Sequence, residues 1–207
     1  MRGLKDAMEE CLRKKIMDEG FNKKSRGLWY SRKGDKEPFQ SLVGFSFMTY
    51  HIGRAVSVNV GIYNTQIEQL YVQLSKHKLV SPYWLLSINL GELEPTYRKY
   101  KDWYFTDFSE ISGICDTIFD ELYEFGYPFF RKYESINSII EVFEKNNLKG
   151  YHASDSDRFF TMPLLYIYNK EYEKALDVMV TLQRFGYQMD EFSENYFNNV
   201  KEYLSKL

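Results

Sequence analysis

The period of the hydrophobic pattern changes once along this chain, near residue 108, and that change sets the class of fold. Before it, apolar residues alternate with small or polar ones. Val43, Phe45 and Phe47 alternate with Gly44 and Ser46; Val56, Val58, Val60 and Ile62 alternate with Ser57, Asn59 and Gly61; Leu86, Ile88 and Leu90 alternate with Ser87 and Asn89. A period of two gives a strand one apolar and one polar face, the habit of antiparallel sheets. The segments LWYSR and DWYFT, around Trp29 and Trp103, are weaker strand candidates. From about residue 108 the spacing becomes helical. Ile111, Ile114, Cys115, Ile118, Phe119 and Leu122 share one helix face; Ile136, Ile139, Ile140 and Phe143 mark a second helix; Phe197, Val200 and Leu204 mark a last one. Strands first and helices afterwards predict an α+β protein. An antiparallel sheet packed with helices is expected over residues 1–107 and a helical region over 108–207, the two packed as one compact unit.

Two helices are expected inside the first half. Leu4, Ala7, Met8, Cys11, Leu12 and Ile16 form one stripe over residues 4–19, and Gly20 then stands where a left-handed cap suits glycine. The same ending, helix then glycine then aromatic, recurs at Phe125-Gly126-Tyr127 and Phe185-Gly186-Tyr187. Thr65 and Glu68 match a capping box ahead of the stripe Ile67, Leu70, Tyr71, Leu74. Further on, GYHASDSDR reads as a polar loop. The segment after it reads as a helical hairpin whose YIYNKEYEKAL stretch has the spacing of the middle of a tetratricopeptide unit. A single unit builds no repeat array, so an ordinary hairpin is expected. The pentapeptides Ser57-Val58-Asn59-Val60-Gly61 and Ser87-Ile88-Asn89-Leu90-Gly91 match in pattern, but the match ends there and predicts no repeat.

Charge and composition narrow the function classes. The net charge is −2 and the isoelectric point is near 6.0, whereas nucleic-acid domains are usually basic. No uncharged run reaches the roughly 18 residues of a membrane span. The N-terminal MRGLKDAMEEC places acids where a signal peptide needs an apolar run. Cys11 and Cys115, far apart in sequence and on apolar helix faces, read as small buried hydrophobes suited to a reducing compartment. The expectation is a soluble cytoplasmic protein with no membrane partner. Its 18 Tyr, 16 Phe and 3 Trp are the unusual feature. Such side chains bring large buried area, and Tyr and Trp also suit half-wet surfaces.

Motifs for chemistry are missing from the sequence. His51, His77 and His152 lie in separate segments with no second ligand at metal spacing, and Asp155-Ser156-Asp157 lacks the glycine and distal glutamate of a calcium loop. No phosphate loop, dinucleotide fingerprint or nucleophile elbow occurs. No catalytic residue, metal or cofactor is therefore assigned. One stretch does stand out: GFNKKSRGLWYSRK, Gly20–Lys33, holds Lys23, Lys24, Arg26, Arg32 and Lys33 with no acid. Trp29 and Tyr30 in it offer stacking surfaces for bases. Four of these cations also have a local reason to be there. Lys23 and Lys24 follow a helix C-terminus, where cations meet the dipole, and Arg32 and Lys33 precede a turn at Gly34-Asp35 on a strand that basic residues protect from edge pairing. Architecture is the better account of the stretch.

The order helix, Gly20-Phe21-x-Lys23-Lys24, Trp29-Tyr30-x-Arg32, then Val58-Asn59-Val60-Gly61 resembles a group of bacterial proteins gathered as a domain of unknown function, over about the first half of the chain. The resemblance implies a bacterial, compact α+β domain, carries no activity, and makes the Gly-Phe and Trp-Tyr pairs recurring packing features. The leading expectation is a non-catalytic protein-interaction module of immunity or regulatory type, with a protein partner held by an aromatic-rich sheet or groove that includes Trp29, Tyr30 and Arg32. The rival is a small-molecule binder or enzyme using the polar sheet face, where Asn59, Tyr63 and Asn89 would converge. Nucleic-acid binding through residues 23–33 is the third and least favoured.

Overall fold

A computed structural model describes residues 2–24, 28–34, 38–79, 82–96, 99–148, 151 and 153–207. Arg26, Asp35 and His152, singled out above, lie outside the described residues. Helix α1 (Arg2–Asp18) leads into a six-stranded antiparallel sheet: β1 (Asn22–Lys23), β2 (Trp29–Lys33), β3 (Phe39–Tyr50), β4 (Gly53–Asn64), β5 (Trp84–Asn89) and β6 (Asp102–Phe105). Helix α2 (Thr65–Ser75) joins β4 to β5. The second half runs through α3 (Ile111–Glu121), a π-turn at Leu122–Gly126, α4 (Tyr127–Tyr133), α5 (Ile136–Lys145), α6 (Asp155–Tyr168), α7 (Tyr172–Arg184) and α8 (Glu191–Leu204). The α+β architecture, sheet first and helices after, is the one expected.

Strand neighbours run β1-β2-β3-β4, and β4 then carries two partners on its far side. Strand β5 pairs with Asn59–Tyr63, and β6 pairs with Arg54–Ser57. The two therefore occupy one lane beside β4, end to end. Between them the chain leaves that lane after Asn89 and returns to it at Asp102, an excursion of which residues 90–96 and 99–101 are described.

Alternation sorts the side chains as the sequence pattern requires. Val43 faces Val60 and Phe45 faces Val58 across β3 and β4, and all four are buried. Tyr30, Ile88 and Trp103 lie on the same face, which α1 covers with Met8, Leu12 and Ile16. Each fully buried side chain of this size contributes about 1.5–3 kcal/mol of transfer free energy. One buried cluster runs without a break from Leu4 of α1 to Val200 of α8. The C-terminal helices join it around α2: the Tyr83 and Thr161 hydroxyls are 2.9 Å apart, and Asn199 Nδ2 donates to the Leu74 carbonyl at 2.8 Å.

Three local expectations are corrected. The N-cap of α2 is Asn64, not Thr65: its Oδ1 accepts from the amides of Gln66 and Ile67 at 2.9 and 3.1 Å. Asn64 ends β4 in an extended conformation, so strand passes into helix with no loop. The polar stretch expected as a loop contains the first turn of α6. Ser154 and Asp157 form a reciprocal capping box there, each side chain accepting from the other's amide. Gly20 and Gly186 close their helices at φ +80° and +94° as expected, but Gly126 has φ −69°, and the chain continues through the π-turn into α4.

Candidate binding face

The outer face of the sheet is the one that β3, β4 and β5 turn away from α1. Trp29 and Trp84 roof its centre. A Cβ at Gly44 would fall 1.8 Å from Trp29 Cζ3, and one at Gly61 would fall 2.1 Å from Trp84 Cε3, so each glycine is the floor of an indole. The two rings meet edge to face with centroids 4.9 Å apart. Tyr63 lies beyond them and is buried. Its hydroxyl donates to Glu68 Oε1 at 2.8 Å, and Lys24 Nζ stands 4.3 Å from its ring. Burial, and then Glu68, push the Tyr63 phenol well above its ordinary range.

Tyr30 and Arg32 face the other way. Tyr30 is buried under α1 with its hydroxyl unpartnered, and burial raises its pKa. The Arg32 guanidinium lies between the rings of Phe21 and Tyr127, 5.0 and 4.5 Å from their centroids. It donates to the Tyr127 hydroxyl at 3.2 Å and to the Glu19 carbonyl at 3.4 Å. The Tyr127 hydroxyl donates in turn to the Glu19 carboxylate, and so does Tyr123. Arg32 thus ties the end of α1 to β2 and to the first residue of α4. Trp29 and the pair Tyr30, Arg32 are divided between the two faces of the sheet by simple alternation.

Asn89, expected on a solvated strand face, is 2% exposed and has every polar atom engaged. Its Oδ1 accepts from the amides of Gly91 and Lys101 at 3.0 and 2.9 Å. Its Nδ2 donates to the Lys101 carbonyl at 3.2 Å and to Ser57 Oγ at 3.0 Å. Asn89 is a clasp across the neck of the 90–101 excursion. Asn59 pairs with Asn89 in register and stays half-buried. Gly61, with the Trp84 indole over it, separates Asn59 from Tyr63 along β4. The register brings Asn59 and Asn89 together and leaves Tyr63 apart.

Three tyrosines that sequence reasoning did not single out dominate the exposed part of this face. The Tyr100 hydroxyl lies 2.7 Å from Ser57 Oγ, and the rings of Tyr50 and Tyr104 are 5.4 Å apart. Their exposures are 58%, 39% and 54% for Tyr100, Tyr50 and Tyr104. A signal for one of them was present: in DWYFT, Tyr104 falls out of phase with the buried Trp103 and Phe105. Asp102, beside Ser57 in register, has its carboxyl pushed up by burial, with Ser57 opposing the shift.

Beside these rings the 90–101 excursion and the π-turn bound a cleft of about 740 Å³. Glu94, Tyr100, Lys101, Glu121, Glu124 and Phe125 are among its lining residues. Lys101 Nζ reaches Glu121 Oε1 at 2.5 Å and stands 5.1 Å from the Trp103 ring. A π-turn is a local excess of chain within a helix and is frequent at functional sites. The arrangement places aromatic surface, a paired lysine and acidic rim groups around one cleft.

His51 is exposed in the β3–β4 turn, and His77 lies edge-on to Phe192 at 4.7 Å. Among the described residues no three His, Cys, Asp or Glu side chains are placed to hold a metal ion, and no helix is long and apolar enough to cross a membrane. No protein-family model, curated protein or solved structure matches the chain.

Proposed function

We propose that this chain is a non-catalytic protein-interaction module of the bacterial cytoplasm, regulatory or immunity-type, that seats a protein partner on its outer sheet face. The observation that carries the proposal is the row of part-exposed Tyr50, Tyr100 and Tyr104 beside the cleft. Tyrosine gives large contact area at low entropic cost and is enriched where proteins meet. Rigid sheet positions and the Ser57 hydrogen bond to Tyr100 hold the rings in advance of binding. Apart from the Lys101–Glu121 pair, the cleft lining has Glu94 and Glu124 against Lys99, so a partner with a basic contact surface is favoured over a polyanion. Lys24 and Arg32, which a nucleic acid would need, are already engaged with Tyr63, Tyr127 and Glu19.

The test is affinity capture from the native host with the wild type and with Tyr50→Ala/Tyr104→Ala. A stoichiometric protein kept by the wild type and lost by the variant, at an unchanged melting temperature, is the expected result. A partner retained equally by both would remove this face from the account. A second reading, a small molecule in the cleft, is favoured by its volume, which falls within the usual range of about 300–1,000 Å³ for ligand sites. That reading predicts a copurifying compound released on denaturation and lost in Lys101→Ala.

A further inference from the structure

Folding brings together the two thiols that the sequence places far apart. On α1, Met8 touches Cys115 of α3, with the sulfurs 3.6 Å apart. About two turns further along α1, Lys15 pairs with Asp116 and lies over the Phe119 ring. Cys11 sits between these contacts, three residues after Met8 and four before Lys15, so it shares their helix face and looks at the same part of α3. Burial is the first cause that pushes the Cys115 thiol up, and its neighbour Cys11 is the second. The Lys15 ammonium acts on Cys115 in the opposite direction. Access is unequal: Cys115 is fully buried, whereas Cys11 is half-buried at the rim of the α1–α3 seam.

We propose that Cys11 and Cys115 are a peroxide-responsive dithiol that closes into a disulfide between α1 and α3. Unequal access assigns the roles, since oxidation follows exposure. The Cys11 thiol gives up its proton and its sulfur attacks the outer oxygen of a hydroperoxide: an S–O bond forms, the O–O bond breaks, and the sulfenic acid is left as water or an alcohol departs. The Cys115 sulfur then displaces the sulfenic hydroxyl, its proton leaving with that oxygen as water. Two thiols have together lost two electrons to the peroxide, and the S–S bond has formed. The bond ties the N-terminal helix to the first helix of the second half.

The experiment uses the reduced full-length protein and hydrogen peroxide, read by intact mass and by non-reducing peptide mapping. The expected result is loss of two hydrogens within a monomer, a linked peptide pair containing Cys11 and Cys115, reversal by dithiothreitol, and a melting temperature raised by several degrees. Cys11→Ser should abolish the change. Cys115→Ala should instead leave a sulfenic acid at Cys11 that dimedone traps. Should that core variant fail to fold, the wild-type mass and map still decide the matter. Three outcomes would each overturn the proposal: Cys11 passing to sulfinic acid with Cys115 still free to alkylate after denaturation, links formed only between molecules, or no reaction at all. None of them bears on the outer sheet face.

Discussion

Asn89 and Gly44 show how much a single residue carries in this protein, and how little of that its own position announces. Each Asn89 hydrogen bond is worth about 1 kcal/mol net, and breaking the clasp leaves the Gly91 and Lys101 amides unpartnered. Asn89→Ala should therefore lower stability by roughly 3 kcal/mol in urea unfolding. A loss below about 0.5 kcal/mol would mean the neck holds without it. Gly44→Ala must displace the Trp29 indole, at an expected cost of about 1–3 kcal/mol and with a change in tryptophan emission. Unchanged emission would contradict the packing of that indole on Gly44. Neither role was legible, because an asparagine or glycine on the polar side of a strand looks the same whether it is wet or covered. The covering groups, Lys101 and Trp29, come from other segments. Cys115 is buried and Cys11 half-buried on apolar helix faces, as their spacing predicts; that both lie at one seam is a fact about α1 against α3.

Among the elements, helices and strands were legible wherever period and local caps agreed, and misread wherever two local signals competed. The capping-box pattern pointed to Thr65, but Asn64, which also ends β4, caps α2. The three glycine-aromatic endings look alike, yet Gly126 lies inside a helical run at φ −69°, with Leu122 packed where a side chain would be. Gly113 is the reverse case: it sits exposed in α3 with open space around its missing Cβ. Gly113→Ala should stabilise the protein by roughly 0.5–1 kcal/mol, seen as a higher urea midpoint. A lower midpoint would show that α3 needs that gap. Acid sensitivity also belongs to this scale. Asp107, Glu110 and Asp190 accept from backbone amides or serine at helix starts and are held below the usual carboxylate range. The unfolded chain then binds protons more readily, so their contribution is complete above the ordinary carboxylate range and is lost as pH falls through it. Asp102 runs the other way, since burial raises its pKa. All three caps are solvated and each effect is small. Urea midpoints between pH 7 and pH 3 should decline, and less so in Asp190→Asn; a flat profile in the wild type would refute the assignment.

For the whole molecule, the switch of period near residue 108 was enough to read the class of fold. It could not show that β5 and β6 share one lane, because that depends on which parts of β4 they pair with. The shared lane is what throws the 90–101 excursion out against the π-turn and creates the cleft beside Tyr100. The basic aromatic stretch, most conspicuous in the sequence, turns out to bind the molecule to itself through Arg32 and Lys24. The proposed interaction surface lies on other residues. Hydrogen–deuterium exchange of the protein with and without its captured partner tests that claim most directly. Protection concentrated in residues 48–56 and 99–105, with little change at 22–33, is the predicted result. Protection confined to 22–33, with the tyrosine segments unchanged, would contradict it.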